Sequence, residues 1–210
     1  LKSIVVNNLY EVDIMAEAVE IAKLRFFLKL VAQVDRVENI EPLPHIDFNI
    51  RAGNTLVGFT TREQVQKAIR SECVGDGVRQ AKLLSSEDLD TLQQIEERAE
   101  DVDRLFGEFQ AMQTAHDMRE YTQDFIETKE ALRKRLQALE EELNRYLAQE
   151  YGVDVTKPAA YKKWLASHHP FHWFTEFYGI LKANGFGAII ENTPYIELKA
   201  VKEHQPLGYT

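Results

Sequence analysis

The chain has 210 residues, 44% of them hydrophobic, enough for one sizeable core or a core with an appendage. It has no run of about 18 uncharged apolar residues and no signal-peptide pattern, so the sequence predicts no transmembrane helix and no membrane partner. The single cysteine, Cys73, excludes an internal disulfide and fits a reducing, cytoplasmic setting. The net charge of −9 argues against a nucleic-acid partner until its distribution is read: 18 acidic and 8 basic residues fall between Glu87 and Glu150, and 16 acidic and 17 basic elsewhere. The first residue is Leu, and the chain reads as a piece of something longer.

In chain order, Leu9–Ile14 reads as a strand ending in an acid, and Ala16–Leu30 as a helix with Val19, Ala22, Phe26, Phe27 and Leu30 on its apolar face. An acid at the end of the second strand of a nucleotide-binding α/β unit bonds ribose hydroxyls, so Asp13 is a candidate for that role; an ordinary helix cap is the alternative. After Pro42 and Pro44, Phe48–Ala52 reads as a further strand running into Gly53-Asn54-Thr55-Leu56. Gly53-Asn54 reads most simply as a turn closing the strand, and the Asn54 side chain offers both an acceptor and donors.

Thr61–Ser71 suggests a short helix and Val74-Gly75-Asp76-Gly77 a loop. Leu92, Ile95, Ala99, Val102, Phe106 and Phe109 then step by threes and fours, as do Leu132, Leu136, Leu139, Leu143 and Tyr146. No proline interrupts either run, so an antiparallel helical hairpin is expected, turning near Gln113–Asp117 with His116 at its tip. Its charges read as a solvated face. From Tyr161 to Leu181 the aromatics concentrate at helical spacing, the pattern of a helix covering a sheet. His168, His169 and His172 have no Cys or second His pair at ligand spacing, and no metal site is expected.

Phe186–Glu197 carries the last motif. Ala188-Ile189-Ile190 has the length of a buried parallel strand, and it runs into Asn192-Thr193-Pro194-Tyr195, where the proline stops a ladder. Such strand ends are where open α/β sheets bind ligands.

Asn192-Thr193-Pro194-Tyr195 resembles the Asn-Pro-Pro-Tyr motif of DNA adenine-N6 methyltransferases. Asn7–Leu30, Phe48–Phe59 and Pro170–Phe177 resemble, in the same order, the methylase domain of type IIG restriction–modification enzymes. The resemblance covers about a third of the chain. It implies methyl transfer from S-adenosylmethionine to an adenine flipped out of double-stranded DNA. Asn192 and the Thr193 carbonyl would accept the amine hydrogens, Pro194 would fix the turn, and Tyr195 would stack on the base. It also implies that Asp13 holds the cofactor ribose, that Ile14 lies against its adenine, and that Asn54 contacts the adenine amino group.

The expected architecture is α/β, a partial Rossmann-like methyltransferase sheet with strands near Leu9–Ile14, Phe48–Ala52 and Gly187–Glu191, interrupted by a long coiled-coil-like helical insertion. Its parts would be residues 1–60, the insertion 61–151, and 152–210. The family's Gly-rich cofactor loop, Asp-Pro-x-x-Gly-x-Gly, is missing, Thr193 replaces a proline, and Gly187 stands where an acid is common. The piece alone is therefore expected to be inactive, with self-association of exposed sheet edges. The alternative is a degenerate methylase fold that acts as an interaction or DNA-positioning module through its acidic hairpin.

Overall fold

The computed structural model describes residues 2–36, 44–74, 78–81, 85–114 and 122–191. A short helix α1 (Lys2–Asn8) leads into strand β1 (Glu11–Asp13), helix α2 (Ala16–Val31) and strand β2 (Ile50–Ala52). The two strands pair in parallel, Glu11 opposite Ile50 and Asp13 opposite Ala52. Parallel neighbours need a crossover, and α2 supplies it. The apolar spacing read from the sequence does its work here. Val19, Ala22, Phe26 and Leu30 pack on Ile46, Ile50 and Val5. Buried Asn49 fixes the entry, its Nδ2 donating to the Val6 and Leu9 carbonyls at 2.8 and 3.1 Å.

Helix α3 (Arg62–Ile69) starts where Thr61 caps it, the hydroxyl accepting the Gln64 N–H. It stops short of the predicted Ser71. An antiparallel pair follows, β3 (Ser71–Val74) and β4 (Val78–Ala81), with Ser71 opposite Ala81. Spacing alone gave no sign of it; residues 75–77 of the predicted loop lie outside the described residues.

The hairpin forms as α4 (Ser86–Thr114) and α5 (Gln123–Glu150). Ser85 and Asp88 exchange hydrogen bonds across the first turn of α4, and Thr122 caps α5 by accepting the Phe125 N–H. Buried positions follow the predicted heptads with two shifts: Leu105 is buried where Phe106 is only partly so, and Leu147 where Tyr146 is only partly so. His116 and the turn lie outside the described residues.

Helix α6 (Pro158–His168) begins on a proline that needs no N–H partner and ends at His169 in the left-handed conformation, φ 45°. Two short helices follow, α7 (Trp173–Glu176) and α8 (Tyr178–Lys182).

One core cluster joins Val57 and Phe59 after β2, Val65 of α3, Leu92, Ile95, Leu139 and Leu143 of the hairpin, and Trp164 and Phe174. A second gathers Phe48 with Phe109, Phe125 and Leu132.

The strand expected at Gly187–Glu191 does not form. Residues 187–191 are irregular, with Ile189 and Ile190 73% and 99% exposed. A strand needs a ladder partner, and among the described residues none lies alongside this segment. The sheet that carries the Rossmann expectation is thus two parallel strands within a mostly helical chain. No described helix is long and apolar enough to cross a membrane.

Candidate functional site

The parallel ladder brings the two predicted strand-end residues to neighbouring positions. Asp13 closes β1, and its carbonyl accepts the Gly53 N–H at 2.8 Å, immediately before Asn54. Its Oδ1 accepts the Met15 N–H at 2.8 Å in the turn ahead of α2, whose N-cap is Met15 and not Asp13. The other carboxylate oxygen has no partner among the described residues. Ile14 and Met15 follow, 55% and 57% exposed, and Leu56 beyond Asn54 is 73% exposed. Apolar side chains held open beside a carboxylate and an amide form a surface suited to a flat, partly polar ligand.

The turn holding Asn54 is fixed from behind. Its N–H donates to the His169 carbonyl at 2.7 Å, its carbonyl accepts the Val57 N–H, and its Oδ1 accepts the Leu56 N–H at 3.1 Å. Phe171 N–H donates to the Val57 carbonyl at 2.7 Å and Phe174 N–H to the Phe59 carbonyl at 3.0 Å. This run of bonds seats residues 169–174 along 54–59. Gly58 must be glycine for it, since a Cβ there would stand 1.9 Å from the Phe171 carbonyl oxygen, and a Cβ on Gly53 would stand 2.9 Å from the Phe171 side chain.

The three histidines do separate jobs. His172 is fully buried, accepts the Phe59 N–H at Nδ1 (3.1 Å) and reaches Asn144 Oδ1 of α5 through Nε2 (3.1 Å). Those partners require the neutral ring protonated at Nε2, and burial pushes its pKa down to about 3. His168 stacks on Trp164, and His169 closes α6. Among the described residues no three His, Cys, Asp or Glu side chains stand together to hold a metal ion.

Two hairpin charges read from the sequence as part of a solvated face, Lys129 and Glu140, turn inward between α5 and the sheet. Asp47 pairs with Lys129 at 2.8 Å and Lys23 at 3.1 Å. Burial opposes its ionisation, but these two ammonium groups hold its carboxyl at about 2. Arg51 of β2 lies 3.0 Å from Glu176, whose side chain is 1% exposed, and 3.9 Å from Glu140. Burial pushes the Glu176 carboxyl up to about 8; Arg51 pulls it down, and Glu140 pushes it further up. Arg51 and Glu176 stand out in the sequence as a lone arginine inside a strand and a lone acid inside an aromatic run, but nothing there names their partners. These pairs border a cavity of about 330 Å³ between α2, β2 and α5, which neither Asp13, Ile14 nor Asn54 lines.

Phe186 anchors the start of the last motif, its ring meeting Phe177, Tyr10 and Trp173 at 5.3, 5.9 and 6.1 Å. Asn192, Thr193, Pro194 and Tyr195 themselves lie outside the described residues.

Comparison with known proteins adds a family. No solved structure matches the chain. A curated relative from Methanocaldococcus jannaschii, named as a type II restriction enzyme and methyltransferase, is 31% identical over 233 aligned positions that cover 96% of this chain. The chain spans 19% of that relative's length. The model of the Eco57I restriction-modification methylase family matches residues 7–209, a span that takes in both strand ends, the hairpin and the Asn-Thr-Pro-Tyr segment. With a strand-end acid and amide in adjoining parallel strands, and a family match over nearly its whole length, this chain belongs to the Eco57I restriction-modification methylase family.

Proposed function

We propose that the chain is part of a DNA adenine-N6 methyltransferase of a restriction–modification system, active in the full-length protein on adenine flipped out of double-stranded DNA. The observation that carries the reading is the meeting of Asp13 and Asn54 at the carboxyl ends of two parallel strands, with exposed Ile14 beside them. That donor set fits the adenosine half of S-adenosylmethionine: a free carboxylate oxygen for the ribose diol, an apolar side chain for a purine face, an amide for its edge. When bound, the cofactor supplies an electrophilic methyl group. No described residue answers to its methionine half. In this reading residues 1–60 and 152–210 build the methyltransferase unit, and 61–151 are inserted.

The chain's own task is to bind and orient. An adenine amine is a weak nucleophile because its lone pair is spread into the ring. Asn192 Oδ1 and the Thr193 carbonyl accept its two hydrogens and turn the lone pair outward, while Tyr195 stacks on the base, a contact worth about 1–3 kcal/mol.

The test is methyl incorporation into DNA by the full-length protein carrying Asn192→Ala or Tyr195→Ala. Loss of turnover by at least about a hundredfold with S-adenosylhomocysteine binding intact is the expected result. Unchanged turnover in both variants would instead favour a module that positions DNA or a partner.

A further inference from the structure

The peptide between Thr55 and Leu56 is pinned at both ends. Its N–H, on Leu56, donates to Asn54 Oδ1 at 3.1 Å, and its carbonyl, on Thr55, accepts the Trp173 indole N–H at 3.2 Å. Among the described residues no other side chain from outside the turn bonds residues 54–57. The two ends share one rigid plane, so the plane cannot tilt without losing a bond. The indole N–H therefore sets the peptide that orients the Asn54 amide. The half-buried ring of Trp173 faces the last motif as well. It meets Phe186 edge-on, with centroids 6.1 Å apart at 82°, and Phe177 lies 5.5 Å from it. Phe177 and Tyr10, the residue before β1, complete the seat of Phe186 at 5.3 and 5.9 Å. Edge-to-face packing is directional, so this seat fixes the ring's orientation as well as its contact.

We propose that Trp173 is a positioning residue for both halves of the site: its N–H sets the Asn54 turn, and its ring seats Phe186, the start of the segment that ends in Asn192-Thr193-Pro194-Tyr195. The inference rests on the methyltransferase reading above. One side chain then sets the cofactor's place relative to that of the base. The two tasks use different parts of the indole, the N–H for one and the ring for the other, so substitution can separate them.

Three variants of the full-length protein test this, read by calorimetric binding of S-adenosylhomocysteine, by kcat for DNA methylation and by thermal melts. Trp173→Phe keeps an aromatic neighbour for Phe186 and removes the donor. It should weaken S-adenosylhomocysteine binding about fivefold, the size of one lost hydrogen bond, with kcat at saturating cofactor within about twofold of the natural value. Phe186→Ala empties the seat and should lower kcat at least about tenfold, with binding unchanged within about twofold. Trp173→Ala should show both losses. A tryptophan that only packs would lower the melting temperature without this split between binding and turnover. The proposal is overturned if Trp173→Phe binds as tightly as the natural protein, if Phe186→Ala keeps its kcat, or if binding and kcat fall together in both variants. The natural protein is measured first: if it binds no S-adenosylhomocysteine, the cofactor reading itself falls, and this inference with it.

Discussion

Replacing His172 by phenylalanine probes the seam between the Asn54 turn and the hairpin. The ring and its stack on Phe59, with centroids 5.2 Å apart, are retained, but the acceptor for the Phe59 N–H and the donor to Asn144 are lost. Phe59 is itself 2% exposed, so its N–H is left dry, at about 1–3 kcal/mol; the Asn144 bond adds about 1 kcal/mol. The expected loss is about 2–4 kcal/mol, a large share of the 5–15 kcal/mol typical of a folded protein. Urea unfolding followed by the fluorescence of Trp164 and Trp173 measures it. The pH profile adds a second reading. Because the folded histidine titrates near 3, well below its ordinary 6.5, its contribution is complete above 6.5 and drains as pH falls toward 3. The advantage of the natural protein over His172→Phe should therefore shrink on acidification by up to about 1.4 kcal/mol per pH unit. A variant within about 0.5 kcal/mol of the natural protein at pH 7, or two parallel pH profiles, would refute the assignment of His172 as a buried neutral bridge.

Glu176 should give the opposite slope. Its carboxyl titrates higher in the fold, near 8, so its contribution is complete below about 4.5 and is lost as pH rises through 8. Glu176→Gln should flatten unfolding stability between about pH 4.5 and 8, as thermal melts across that range will reveal. Gly53→Ala presses a methyl against Phe171 directly before Asn54, and should weaken S-adenosylhomocysteine binding by the full-length protein at least about fivefold while costing only about 1–3 kcal/mol of stability. Thr193→Pro restores a fixed φ beside the amine acceptor and should raise kcat for DNA methylation with little change in cofactor affinity; equal or lower kcat would show that the threonine carbonyl is already well placed.

Much of the βαβ unit could be read in advance because its signals are local. Val19, Ala22, Phe26 and Leu30 recur at helical spacing, and Asp13 and Gly53-Asn54 end the strands they follow. The hairpin was equally visible, since heptads need no knowledge of a partner. What faces the hairpin was not. Lys129, Arg133 and Glu140 look like any solvated helix charge until Asp47 and Arg51 are set opposite them, and a pairing so distant in sequence has no local trace. The segment after Phe186 failed as a strand for a related reason: Ile189 and Ile190 have strand composition, but pairing, which composition does not supply, makes a strand.

The hydrophobic cluster shared by Phe59, Leu143 and Phe174 bears on cooperativity. Helices α4 and α5 supply the wall against which the strand-end turn is cast, so neither half keeps a dry interior when the other opens. Amide exchange at Asn144 and at Phe59 should then report one opening event with one free energy, and the hairpin cannot be shortened at its base or transplanted without dissolving the turn that holds Asn54.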